Sequence, residues 1–154
     1  MAKAGYSTST GAAVALAAAT AKVVLNVIAP AQFGVDLKKF RVAFDGVTAS
    51  AVPVLVELMY STQAGAGAGS TGGTVNQIYG RTITAGFTSA YGYTTDPTAL
   101  TLVDSFLLDP NKGLVIYDFP LGDTPDTAVS NALCLRCTAP AIVNVRATMV
   151  FERT

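Results

Sequence analysis

Apolar and polar residues alternate with period two through almost the whole chain, which is the spacing of half-buried strands and not of helices. Residues 22–28 (KVVLNVI) are β-branched and apolar. Residues 37–44 set Leu37, Lys39, Arg41 and Ala43 against Lys38, Phe40, Val42 and Phe44. Residues 52–60 set Val52, Val54, Val56, Leu58 and Tyr60 against Pro53, Leu55, Glu57 and Met59. Pro53 has no amide to give to a ladder, so it marks a strand start or an edge. Residues 75–79 form a short strand. Residues 99–108 and 113–119 flank the turn Asp109-Pro110-Asn111-Lys112-Gly113, where Pro presets one dihedral and Asn or Gly accepts positive φ. Asp45-Gly46 makes a second turn, and residues 132–138 and 142–152 close the chain.

Helical period is absent after residue 30. About eight strands with Gly, Pro and Asp punctuation predict an all-β domain, a two-sheet antiparallel β-sandwich of jelly-roll-like form, with a closed barrel as the alternative. The sandwich is expected over 21–154, preceded by an N-terminal arm over 1–20. Residues 10–21 are rich in Ala, which favours helix. Yet Val14, Leu16 and Ala18 alternate between Gly11 and Thr20, so an extended arm or a strand is expected. Such an arm buries too little alone to offset the ~1–2 kcal/mol of backbone entropy lost per ordered residue. It is expected to pair with a neighbouring subunit's strand edge, with Val14 and Leu16 as anchors. Residues 63–74 (QAGAGAGSTGGT) lack apolar anchors and predict a long loop, a class usually functional or mobile. Gly67 and Gly69 are its candidate contact positions.

Composition sharpens this picture. Only 13% of residues are charged, His and Trp are absent, and 51% are hydrophobic, against about a quarter charged in an average domain. Little is left for acid–base chemistry, so no enzyme is expected. Net charge is zero and the pI is about 6.1, so no long-range field draws nucleic acid or an anionic membrane. Neutrality favours association. Lys38, Lys39 and Arg41 are the only basic cluster and read as the solvent side of a strand. No run of ~18 apolar residues predicts a membrane span. Lys3 followed by residues 11–21 loosely imitates a secretory signal. The stretch is mostly Ala and a polar STST run (7–10) separates it from the charge, so Met1 is expected to be retained.

Cys134 and Cys137 spell C-x-x-C, but on a strand residues three apart face opposite ways. No His or second Cys pair completes a zinc site. Two unbonded thiols without metal are expected, with Cys137 a small core residue. Residues 67–72 match G-x-G-x-x-G, but a strand comes next where a dinucleotide site needs a helix. Asp118, Asp123 and Asp126 surround the turn Pro120-Leu121-Gly122. Turn formation accounts for them, and a cation shared between subunits stays open. Tyr91 and Tyr93, with Tyr79 and Tyr117, are candidates for an aromatic contact surface. No cofactor is expected.

Residues 20–25 (TAKVVL), 44–58 (FDGVTASAVPVLVEL), 95–100 (TDPTAL) and 135–152 (LRCTAPAIVNVRATMVFE) resemble the small β-sandwich virion proteins of tailed bacteriophages, in particular capsid decoration (cement) proteins. These are patterns of strand and turn spread over most of the chain. The resemblance implies a place on the capsid surface, the major capsid protein as partner, homotrimers, and synthesis in the host cytoplasm. The chain departs in length from the best-known small head-stabilising proteins, so contact residues do not carry over. Two alternatives remain: a tail or connector part of a virion, and a carbohydrate-binding sandwich, which would need an exposed aromatic platform.

Overall fold

The structure, a computed structural model, describes residues 4–45, 52–62 and 65–154. Met1, Lys3, the Gly46 half of the Asp45-Gly46 turn, most of the 44–52 connection, and Gln63 and Ala64 of the Gly-rich loop lie outside the described residues. The chain folds as two antiparallel sheets packed face to face, the sandwich expected from its alternation.

The described residues form twelve strands: β1 (Gly5–Ser9), β2 (Val14–Leu16), β3 (Thr20–Ile28), β4 (Val35–Phe44), β5 (Val54–Ser61), β6 (Thr71–Gly73), β7 (Val75–Tyr79), β8 (Thr88–Tyr91), β9 (Leu100–Leu108), β10 (Val115–Asp118), β11 (Ala132–Ala139) and β12 (Val143–Arg153). The first sheet runs β10-β4-β12-β1-β7, with β2 also on β12. The second runs β6-β8-β3-β11-β5-β9. The eight strands read from periodicity are all present. The four additional ones are short: β1, β6 and β8 are built largely from Gly, Ser, Thr and Ala and carry little apolar alternation, and β2 falls in the segment expected to be an extended arm or a strand.

The inward faces meet in one continuous core that includes Tyr6, Leu37, Phe40, Leu58, Leu133 and Phe151. Period two breaks once in β4. Leu37 and Phe40 both face inward because the register shifts opposite Val150 and Phe151, which sends Lys38 and Lys39 outward together. Such a bulge adds one residue to one strand and re-aims the side chains beyond it.

The expected arm is not an arm. β1 lies inside the first sheet, paired with β12 on one side and β7 on the other. Val14 and Leu16 pair with β12 and point into their own core, 5% and 1% exposed. The chain then crosses to the second sheet through Ala19, whose φ is +55°. Tyr6 gives β1 its one large buried side chain, and its other residues are small. The ring of Tyr79 lies against Gly5, where a Cβ would have no room.

Candidate interaction surface

The two long sides of the sandwich differ. On one, the chain passes directly from β6 at the edge of the second sheet through Thr74 into β7 at the edge of the first. That crossing closes the side covalently. The Thr8 hydroxyl adds a 2.8 Å hydrogen bond to Ser89 between the sheets. On the other side, β9 and β10 are both terminal strands, and among the described residues nothing pairs with their outer edges.

Sequence dictates that open side. Asp109 Oδ1 accepts from the Asn111 amide at 2.9 Å, Lys112 N–H donates to Asp109 O, and Gly113 takes φ +83°. The turn thus returns the chain from β9 to β10 as its Pro, Asn and Gly predict. Between the two strands sits a stack of aromatic rings. Phe40 lies 5.2 Å from Tyr117, 5.9 Å from Phe106 and 6.0 Å from Phe119, centroid to centroid. Outside the stack, Leu102, Leu107, Leu114, Ile116 and Leu121 are each more than half exposed. β9 carries one charge, Asp104, and neither Lys nor Pro. Edges of folded proteins are normally guarded by such residues or covered, and exposed apolar groups gathered on one side mark contact surfaces.

Charge reaches the β10 side of this region, where Leu121 and Phe119 share a groove with Lys39, Arg41 and Asp118, and two ion-pair networks lie on the outer sheet faces. Lys38 pairs with Asp36 and lies 3.5 Å from Glu152, which accepts the Tyr79 hydroxyl at 2.8 Å. Burial works against the charged form of Lys38, but these carboxylates outweigh it and raise its pKa. Burial, reinforced by Glu152, pushes Tyr79 up to about 12. Across the second sheet, Arg136 forms a two-pronged pair with Glu57 at 2.8 and 3.1 Å, the two residues facing each other in register. Both networks tie neighbouring strands together.

The expected contact residues fall away from the open side. Tyr93 is 3% exposed; its hydroxyl accepts from Asn26 Nδ2 at 3.0 Å, and Asn26 Oδ1 accepts from the Cys134 thiol at 3.3 Å. Tyr91 is half-buried, against Gly11. Gly67 and Gly69 have positive φ and bring their loop onto residues 93–98. Ala68 exchanges backbone hydrogen bonds with Thr94 and Thr95 there. The loop is therefore held by its backbone as a cover over Tyr93, and its last residues form β6. Asp118 pairs with Lys39 at 3.3 Å, and Asp126 bridges β4 at Asp36. Among the described residues no three His, Cys, Asp or Glu side chains gather as a metal site. The surface residues that sequence reading misses are apolar positions on β9 and β10. Their signal is the absence of Lys and Pro from 100–108.

Cys134 and Cys137 are buried and unbonded, on opposite faces of β11: Cys137 in the main core, Cys134 beneath Tyr93. Burial pushes both thiols up to about 12 from 9. A folded-state pKa above the unfolded one gives stability that is complete below the unfolded value and lost as pH rises through the folded one. The thermal midpoint is therefore expected to change little with the thiols below pH 9 and to fall steeply between 9 and 12. Melts followed by circular dichroism check this. A flat profile across that window would contradict the burial of the thiols.

No protein-family model matches the chain, and no curated protein matches it.

Proposed function

We propose that the chain is a structural protein of a phage virion that binds the outside of the capsid, against the major capsid protein, as a decoration or cement protein. The observation that carries this reading is the open side of the sandwich, with two terminal strands and exposed apolar residues on and beside them. Leu114, Ile116 and Leu121 stand exposed on and beside β10, the strand that carries Tyr117 of the aromatic stack. A protein that reinforces a shell gains from apolar area removed from water and needs no catalytic groups. The resemblance in strand and turn pattern points the same way.

Burial of Tyr93 weakens the carbohydrate-binding alternative, which needs an exposed aromatic platform, by removing one of its four candidate tyrosines. The test is cosedimentation with capsid shells of the phage that encodes the chain. Saturable binding is expected, with a higher temperature of shell disruption. A variant carrying Leu114→Ser, Ile116→Ser and Leu121→Ser should keep its fold and lose binding. Attachment to tails instead would select the connector reading, and glycan binding without shell binding would select the carbohydrate one.

A further inference from the structure

We infer that β9 pairs with β9 of a second copy of this chain about a two-fold axis at Phe106, joining two second sheets into one continuous sheet. The inference stands on backbone geometry and does not depend on the virion reading.

The free edge of β9 has two parts. Opposite Leu58 and Met59 its register shifts between Leu102 and Asp104, leaving Val103 out of step. A bulge of this kind blunts an edge and confines regular pairing to residues 104–108. Within that run, the Ser105 amide donates to Asp104 Oδ1 at 2.8 Å, so it points away from β5. Edge-facing groups recur every second residue of an antiparallel ladder, which makes Leu107 the next such residue.

Ser105 and Leu107 flank Phe106 symmetrically. An antiparallel copy centred on Phe106 sets Ser105 against Leu107 of the second copy, and Leu107 against its Ser105. Both are then hydrogen-bonded pairs, giving four backbone bonds without shifting a strand. Charge selects the same axis. Centring on Asp104 would oppose two carboxylates, whereas centring on Phe106 sets Asp104 against Leu108. Zero net charge leaves no long-range repulsion between copies. Leu107, 64% exposed, would be covered by its own counterpart diagonally across the join. Asp104 acts as a latch, because pairing requires its carboxylate to release the Ser105 amide.

This arrangement gives a two-fold dimer, not the three-fold one implied by the resemblance. Sedimentation velocity on the full chain at rising micromolar concentration tests it. A monomer–dimer equilibrium is expected. Leu107→Pro removes an edge-facing amide and no bond to β5, so it should abolish the dimer and keep the monomer's circular dichroism spectrum. Leu107→Lys, which sets two ammonium groups near each other, covers the case in which the proline variant fails to fold. It should raise the dissociation constant about tenfold or more. A wild type that stays monomeric or forms trimers, or a lysine variant that dimerises as tightly as wild type, would overturn the assignment.

Discussion

Removal of residues 1–19 is expected to abolish cooperative folding. The deletion takes away β1, which is hydrogen-bonded on both sides, so β7 loses its place in the first sheet. It also removes Tyr6, Val14 and Leu16, three side chains almost fully enclosed. Burial of each apolar side chain of this size contributes about 1.5–3 kcal/mol, on top of the ladder bonds of three strand pairings. The loss is comparable to the whole stability of a typical domain, about 5–15 kcal/mol. Tyr6 also holds a second aromatic group, lying 5.5 Å from Phe87 and 6.1 Å from Phe151, so its removal opens the core at that end. Near-ultraviolet circular dichroism and a thermal melt decide the matter. A truncated chain that still melts cooperatively would mean that β1 is dispensable.

The same segment shows where sequence reading reaches its limit. β3, β4, β5, β9, β11 and β12 are legible because each sets large apolar residues against polar ones, and burial of one face enforces the alternation. β1 reads GYSTS and sits centrally all the same. Its Gly5 is covered by the Tyr79 ring, and its Ser and Thr residues are placed by pairing with β12, contacts that are distant in sequence. Weak local preference is overridden there by the neighbours on either side. The Gly-rich loop escapes sequence reading for a related reason. Its glycines bring no side chains to bury, but positive φ values at Gly65, Gly67 and Gly69 allow the backbone hydrogen bonds that fasten it over Tyr93.

The contact surface is hidden for the opposite reason. Leu102, Leu107 and Ile116 look like core residues in a sequence, because periodicity states which residues share a face and not whether that face is covered. Tyr91 and Tyr93 draw attention as polar-tipped aromatics, and the fold spends Tyr93 on a buried chain with Asn26 and Cys134. Strand order decides these cases, and strand order is set by long-range pairing. The two cysteines are legible from the alternation of β11 alone, since that places them on opposite faces.

Phe40→Ala is the point substitution expected to act most strongly on the open side. The ring is fully buried and touches Phe106 of β9, Tyr117 of β10 and Phe119 beyond it, nearly parallel to the first two at 17° and 3°. Truncating a buried Phe costs about 3–5 kcal/mol, as lost transfer energy plus a cavity. Phe151→Ala is the matched control: its ring is equally buried but packs against Tyr6 and Phe87 in the other aromatic group. The two variants should lose similar global stability in urea. They should differ in where the molecule opens. Without Phe40, amide exchange should quicken first in β9 and β10, because these terminal strands have a neighbour on one side only and rely on the stack for support. The self-pairing edge and the apolar contact residues would then lose their common backing, so dimer formation should weaken more in Phe40→Ala than in Phe151→Ala. Equal exchange in β9 and β10 for the two variants would show that the stack stabilises the sandwich as a whole and does not order its open side.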